Sequence, residues 1–437
     1  MIDRHVRIFN ARKTPLAQPH LDPGYVSTEW LTSATRPRRI VLYSHDTQGL
    51  GHMRRNLLLA RALLRLTPRP NILLIGGARE MGAFVIPEGI DCLTLPALHK
   101  ASDGLYRPRS LSISLRRMLD MRASAIKAAV ASYDPDLLLT DKVPLGAFGE
   151  LRPTLDWLRE RKKARCVLGL REILDEPAVA RREWAVEGNN AAVETYYDQV
   201  WIYGDHRIAD PVREYGFSAA VAARLIYTGY LNRGAFLEED PQAEAALFAK
   251  IGLPEGVPMA LCCVGGGQDG FALARSFARA VLPEGMVGVI LTGPLMAASE
   301  QAALQQMLTD RPWLRLVTFL EEPTPLMRRA DAVIAMAGYN TVCEILTLAR
   351  RALLVPRVVP RREQLIRAQR LRDLGLVDML HPRRLSAAAL ATWLARTPDP
   401  EQAAAIQLDM GALDRVAELV QTLSFCQFDI KESPCAD

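Results

Sequence analysis

Arg39-Ile40-Val41-Leu42-Tyr43-Ser44-His45-Asp46-Thr47-Gln48-Gly49-Leu50-Gly51-His52-Met53-Arg54-Arg55 holds, in order, an apolar run, a glycine turn and the start of a helical pattern. The run has strand length. From residue 53 to 66 the apolar positions Leu57, Leu58, Ala60, Leu63 and Leu64 share one side of a helix. A strand that passes into a helix through glycines opens a βαβ unit, and open α/β sheets bind ligands beyond the carboxyl ends of their strands. His52 stands at that point. An imidazole titrates at about 6.5, and the dipole at a helix N-terminus favours the neutral form, which accepts protons. We read His52 as a candidate general base, with a purely structural histidine as the plain alternative.

The same device returns in the second half of the chain. Gly265-Gly266-Gly267-Gln268-Asp269-Gly270 follows an apolar run at 259–264 and precedes a helical pattern at 271–281. Strands are expected at 39–43, 71–75, 91–95, 136–140, 164–170 and 199–203, then at 259–264, 287–292, 314–318, 332–335 and 352–355. Strands alternating with helices argue for parallel sheets. The expectation is an α/β protein of two Rossmann-like domains facing across a cleft. A loose leader spans 1–37, the first domain 38–230, an acidic and alanine-rich linker 231–257, the second domain 258–423 and a tail 424–437. Residues 386–422 read as helical and alanine-rich throughout.

A chain of 437 residues has room for two or three domains, and 49% hydrophobic residues can fill their cores. The net charge of +5 is mild for this length and aromatics make up only 6%, so no nucleic-acid partner is indicated. The seven cysteines are odd in number and form no CxxC pair. They read as buried, reduced thiols of a cytoplasmic protein rather than a disulfide framework. No apolar run approaches the ~20 residues of a transmembrane helix, and residues 1–37 hold no signal-peptide core. No set of His, Cys and carboxylates has metal-ligand spacing, so no metal site is expected. Asp134-Pro135-Asp136 imitates a metal motif but leads into Leu137-Leu138-Leu139-Thr140, and a turn is the better reading.

Gly265 to Gly270 fits G-x-G-x-x-G, where glycines let the backbone approach a phosphate. A dinucleotide reading also needs an acidic residue about twenty positions on. The next strand ends Ile290-Leu291-Thr292-Gly293-Pro294, without one. A phosphate-bearing ligand of another kind fits better, with a mere tight turn as the alternative. In Gly338-Tyr339-Asn340-Thr341-Val342-Cys343-Glu344, Asn340 or Thr341 suits a helix cap, which makes a second anion-binding helix start. Glu344, one turn in, is placed to accept ribose hydroxyls, or is simply a glutamate on a solvated face. Glu363-Gln364 opens a later helix, and a carboxylate beside an amide can read sugar hydroxyls, although such a pair is commonplace.

Taken together, the second half resembles the nucleotide-sugar-binding domain of the MurG-like glycosyltransferases. The likeness rests on Gly265–Gly270, on Gly338 to Glu344, and on Glu363-Gln364 followed by Ala368 and Leu371. Gly49-x-Gly51-His52 resembles the glycine-histidine turn of that family. Gly51-His52-x-x-Arg55, Pro144-Leu145-Gly146 with Glu150-Leu151, Arg171-Glu172-Ile173-Leu174-Asp175 and Tyr227-Thr228-Gly229-Tyr230 resemble a group of uncharacterised bacterial glycosyltransferases. Roughly residues 38–385 are covered.

The resemblance implies a GT-B fold, with a nucleotide-sugar donor on the C-terminal domain and the acceptor on the other. It further implies inverting transfer from a UDP-sugar, with no metal and no cofactor besides the nucleotide-sugar substrate. In that scheme His52 deprotonates the acceptor hydroxyl. Gly51, Gly265, Gly266, Gly267, Gln268, Gly338, Asn340 and Thr341 meet the donor phosphates, Glu344 the ribose, and Glu363 and Gln364 the sugar. A lipid-linked or polysaccharide acceptor, a role in cell-envelope or exopolysaccharide synthesis, and peripheral contact with the inner face of the cell membrane follow from the same likeness. The basic clusters at 36–39 and 357–362 agree with such contact. Gly-His-x-x-Arg also resembles the nucleotide-sugar hydrolase of pseudaminic acid synthesis, and MurG usually has proline at the position of Arg55. Transfer and hydrolysis therefore both stay open, with a UDP-sugar 2-epimerase and a non-catalytic nucleotide-sugar binder as further alternatives.

Overall fold

In the computed structural model, residues 36–45, 51–78, 84–100, 106–236, 240–320, 322–348, 350–397 and 407–423 are described. Residues 1–35 and the tail at 424–437, with Cys426 and Cys435, lie outside them, as do residues 46–50 with Gly49.

The first half contributes β1 (Arg39–Ser44), β2 (Asn71–Gly76), β3 (Ile90–Thr94), a small hairpin of β4 (Leu98–Lys100) and β5 (Tyr106–Pro108), then β6 (Leu137–Asp141), β7 (Arg165–Arg171), β8 (Gln199–Tyr203) and β9 (Leu225–Gly229). The second half contributes β10 (Met259–Cys263), β11 (Val287–Leu291), β12 (Leu314–Val317), β13 (Ala332–Ala335), β14 (Ala352–Leu354) and β15 (Asp378–Met379). β1, β6, β10 and β13 consist almost wholly of buried residues because helices cover both faces of each sheet. The order of the first sheet is β3-β2-β1-β6-β7-β8-β9, and of the second β12-β11-β10-β13-β14-β15. Every pairing within these two sheets is parallel.

Both orders reverse at one place: between β1 and β6 in the first sheet, and between β10 and β13 in the second. The connections leaving two adjacent strands there run in opposite directions and open a crevice at their carboxyl ends. His52 follows β1 and Asp141 ends β6, while Gly265 follows β10 and Gly338 follows β13. The strand expectations that carried these motifs agree with the structure to within a residue at most ends.

The alanine-rich stretch 386–422 differs. Its described residues form two helices, Ala387–Ala395 and Ala412–Thr422, and Gly411 pairs with Leu231 in a β-bridge ahead of the second. The second helix packs with the first half of the chain rather than with its own sequence neighbours. Leu413, Val416 and Val420 are buried in one cluster with Leu57, Leu59 and Leu63, and Arg38 Nη1 donates to Val420 O at 2.7 Å. Burying those three side chains contributes about 1.5–3 kcal/mol each, which draws the helix across. The hairpin β4–β5 and the short β15 had no counterpart in the sequence reading.

Candidate active site in the cleft

The side-by-side ends of β1 and β6 bring together residues 89 apart in sequence. His52, second in the helix Gly51–Leu63, has its Nδ1 2.5 Å from Asp141 Oδ2. Arg55, one turn later, donates to the same carboxylate from Nε at 3.2 Å and from Nη2 at 2.6 and 2.5 Å. The side chains of Asp141 and Arg55 are 3% and 2% exposed, whereas that of His52 keeps 14% and faces the cleft. A buried carboxylate that accepts a hydrogen bond from Nδ1–H fixes the tautomer and leaves the Nε2 lone pair free.

Burial alone would raise the pKa of Asp141, but the Arg55 guanidinium and His52 outweigh it and keep the acid ionised. Burial lowers His52 to about 4, against the pull of Asp141 and with help from Arg55 and Lys142. The ring is therefore neutral at neutral pH. His45, at the end of β1, lies with its ring centroid 5.1 Å from that of His52. Lys142 follows Asp141 with a positive φ of 71°, and burial, Arg171 and Arg361 lower its pKa to about 8.

The second sheet faces these side chains with backbone. Gly265 and Gly267 have φ of 66° and 102°. A Cβ on Gly267 would press on Thr292 O and come within 2.8 Å of Met296 N, so only glycine fits. The N–H groups of Gly265, Gly266 and Gly267 have no hydrogen-bond partner among the described residues. Neither do those of Tyr339, Asn340 and Thr341 in the first turn of the helix Tyr339–Leu348. Free amides at a helix start favour an anion. The helix begins at Tyr339, so Asn340 does not cap it. Asn340 instead donates from Nδ2 to Gly51 O at 3.1 Å and ties the two helix starts together.

Arg357 links the glycine turn to the later helix. Its Nη1 lies 2.9 Å from Asp269 Oδ2 and its Nη2 2.7 Å from Glu363 Oε1, and its backbone N donates to Gln364 Oε1 at 3.1 Å. Burial would raise the pKa of Glu363, but Arg171 and Arg357 bring it down.

Gly51, His52, Gly265, Gly266, Gly267, Gln268, Gly338, Asn340, Thr341, Glu363 and Gln364 thus line one cleft of 360 Å³. Glu344 is not in its wall. It is buried behind it, 3.6 Å from Arg233 Nη1, and burial raises its pKa against the pull of Arg233 and Arg54. A second cavity of 740 Å³ adjoins the cleft, sharing His45, Tyr106, Lys142, Leu174 and Arg361 with it and reaching Phe148 and Trp184. Phe148 is 57% exposed at a positive φ of 52° and meets Tyr106 edge-on.

Sequence reading assigned no role to Lys142 or Arg171, offered Asp141 only as a candidate under the epimerase alternative, and took Arg357 and Arg361 only as part of a basic cluster for membrane contact. The one available signal was that Asp141 and Arg171 end strands, where ligands bind. The motif from Arg171 to Asp175 also proves to be half of a clamp. Glu172 Oε1 accepts from Arg367 Nε at 2.6 Å with both side chains fully buried. Asp175 accepts from Arg361 Nη1 at 2.9 Å and from Arg362 N at 2.8 Å. These contacts hold the helix Glu363–Asp373 against the first sheet.

Residues 261–423 match the glycosyltransferase family 28 C-terminal domain. A curated UDP-N-acetylglucosamine–N-acetylmuramyl-(pentapeptide) pyrophosphoryl-undecaprenol N-acetylglucosamine transferase from Gloeobacter violaceus is 31% identical over 109 residues, which is 24% of this chain and 29% of that protein. The chain thus spans under a third of the length of this relative. Among solved structures, MurG of Acinetobacter baumannii superposes with a TM-score of 0.55 at 14% identity, over 88% of this chain and 99% of that one. UDP-GlcNAc 2-epimerase of Neisseria meningitidis, bound to UDP-GlcNAc, gives 0.59 at 14% identity over the same shares. At such identities the likeness concerns the fold, and the fold agrees with the GT-B expectation. The chain has the GT-B fold, and its residues 261–423 match the glycosyltransferase family 28 C-terminal domain.

Proposed function

We propose that this protein transfers a sugar, with inversion and without a metal ion, from a UDP-sugar to an acceptor hydroxyl. The observation that carries the reading is the neutral His52, oriented by Asp141, standing across one cleft from two sets of unpartnered amides.

An acceptor seated in the 740 Å³ cavity brings its hydroxyl to His52. Nε2 takes the proton as the oxygen attacks the anomeric carbon from the face opposite the leaving nucleoside diphosphate. Attack from that side inverts the centre. The amides of Gly265–Gly267 and of Tyr339–Thr341 meet the charge that develops on the diphosphate, and fixed donors of this kind need no reorganisation. Asp141 stabilises the imidazolium once it forms. The entering diphosphate is negative and strengthens His52 as a base from its low resting value. Glu363 and Gln364 read the sugar, and Glu344 reaches the ribose by giving up its long contact with Arg233.

The second cavity favours transfer over hydrolysis, because water needs no such room. The substrates named for the Gloeobacter relative and for the epimerase agree with uridine as the base. A lipid-linked acceptor, with work at the inner face of the cell membrane in cell-envelope synthesis, belongs to the same reading. Among the described residues no helix is long and apolar enough to cross a membrane.

The test is chromatographic release of nucleotide from UDP-, GDP-, CMP- and dTDP-sugars, each alone and with bacterial membrane extract, beside His52→Ala. Release only with extract, lost in His52→Ala and kept under EDTA, is the expected result. Release from one donor without extract makes water the acceptor, and conversion to an epimeric sugar makes the protein an epimerase. Either outcome sinks the transferase reading.

A further inference from the structure

Lys142 and Arg171 stand out in the cleft because nothing holds them. Neither side chain has a hydrogen-bond or ion-pair partner among the described residues, and the Arg171 Nε is buried. Arg171 is close enough to lower the affinity of Lys142 for its proton, with Arg361 adding to the effect, and Arg171 is itself lowered by burial, Arg367 and Arg55. Glu363 Oε2 is buried without a hydrogen-bond partner and offsets part of this repulsion for both cations, while the other acid oxygens nearby are engaged. Asp141 is taken by Arg55 and His52, Glu363 Oε1 by Arg357, and Asp175 by Arg361. Two partly buried like charges that no hydrogen bond holds are unfavourable even beside Glu363, and the backbone adds to the cost. Lys142 holds a left-handed φ of 71°, a conformation unfavourable for any residue with a Cβ. Strain of this sort persists where the surroundings use it.

Both cations line the cleft, and Lys142 also lines the second cavity, where the two spaces join beside His45. We propose that Lys142 and Arg171 form a binding station for an anionic substituent, a phosphate or a carboxylate, on the part of the substrate lying where the two cavities meet. This rests on the transferase reading and narrows its substrate class. The substituent belongs either to the acceptor, next to the attacking hydroxyl, or to the transferred sugar. In both cases it turns a repulsive pair into a charge-assisted one and gives the site a preference for acidic over neutral substrates.

Calorimetric titration tests this on the wild type, Lys142→Met and Arg171→Gln, with thermal melts to confirm folding. The probes are UDP, UDP-glucose and UDP-glucuronate, and then glucose against glucose 1-phosphate on UDP-saturated protein. A charged hydrogen bond is worth about tenfold in affinity or more. If the sugar carries the anion, UDP-glucuronate binds about tenfold tighter than UDP-glucose. If the acceptor carries it, glucose 1-phosphate binds the UDP-saturated protein and glucose does not. Either preference collapses in both variants. Since each is a ratio measured on one protein, a general weakening of the site cancels.

The station is overturned if neither charged probe is preferred, if the preference survives both substitutions, or if the variants lose UDP to the same extent. The last result would assign the two charges to the leaving diphosphate. Binding of UDP without any charge preference sinks the station alone. No binding of UDP or either UDP-sugar sinks the donor reading and the station with it.

Discussion

At the switch point of the first sheet the proposed working atoms belong to side chains: His52, Asp141, Arg55 and Lys142, with Arg171 one strand away at the end of β7. At that of the second they belong to the backbone of Gly265–Gly267 and Tyr339–Thr341. One topology thus furnishes two walls of one cleft by different means. A side chain that must move a proton needs an orienting partner and a tuned environment, so the first wall is a network of mutual contacts. A backbone that must hold an anion needs only the right φ and room, so the second is a pair of glycine-shaped turns. Substitution separates the two. On the first wall chemistry fails while the fold stands, and on the second the turn itself is distorted.

The largest effect is expected at His52. Removing a general base costs about 10²–10⁴ in rate, so His52→Ala lowers kcat by about a thousandfold in steady-state assays with little change in donor KM. Asp141→Asn approaches that loss because the tautomer is no longer fixed. The double variant is no worse than His52→Ala alone, since the two residues act as one unit. Additive losses would break the pairing.

Next comes the clamp that joins the walls. Arg367→Met leaves the Glu172 carboxylate buried and unpaired, and breaking a fully buried pair costs about 3–5 kcal/mol. Urea denaturation reads this as a lower midpoint. Glu172→Leu combined with Arg367→Met regains most of the loss. Failure to regain it would mean that the pair packs rather than balances charge.

Gly267→Ala is smaller and changes a different parameter. Its φ of 102° and the contact that a Cβ would make with Met296 N cost about 1–3 kcal/mol. Donor KM rises about tenfold while kcat changes less. Gly338 offers the contrast. A Cβ there meets nothing within 4 Å, and its φ is not positive. Gly338→Ala therefore stays within about 0.5 kcal/mol in stability. Equal effects of the two substitutions on donor KM would break the idea that glycine shape sets the second wall.

The same contrast explains what was legible in the sequence. The backbone wall could be read because its requirement is local: Gly265 to Gly270 and Gly338 lie beside the strands they follow. Most of the fold was legible for the same reason, since apolar runs alternate with helical patterns. His52 was visible as a histidine after glycines, but its function depends on Asp141, 89 residues away. Only the order of the strands makes those two neighbours. Arg171 to Asp175 was visible as a motif without a purpose, because its partners Arg361 and Arg367 lie just before and on a helix of the other half. The continuous helical reading of 386–422 failed for the opposite reason. Alanine content is a local propensity, whereas the β-bridge at Gly411 and the docking of Leu413, Val416 and Val420 are tertiary.

The smallest expected effect is a flatness. With His52 held at about 4, only ~1% of the rings are protonated at pH 6, against roughly three quarters for an ordinary histidine. The pH profile of kcat/KM, which reports the free enzyme, should therefore show no loss from His52 between pH 8 and 6 and an acid limb near 4. Stability behaves differently over the same range. As pH falls below about 6.5, the unfolded chain takes up a proton on His52 that the folded chain refuses, so folding weakens toward pH 4. Asp141 adds to this lower down. Its folded pKa is depressed, so its stabilisation is present above the ordinary carboxylate value and is lost as pH falls through and below it. Urea midpoints measured from pH 8 to 4.5 should fall while kcat/KM holds. An acid limb near the ordinary histidine value would mean that the imidazole titrates in water, and the side-chain wall would then not be the closed network that separates it from its backbone counterpart.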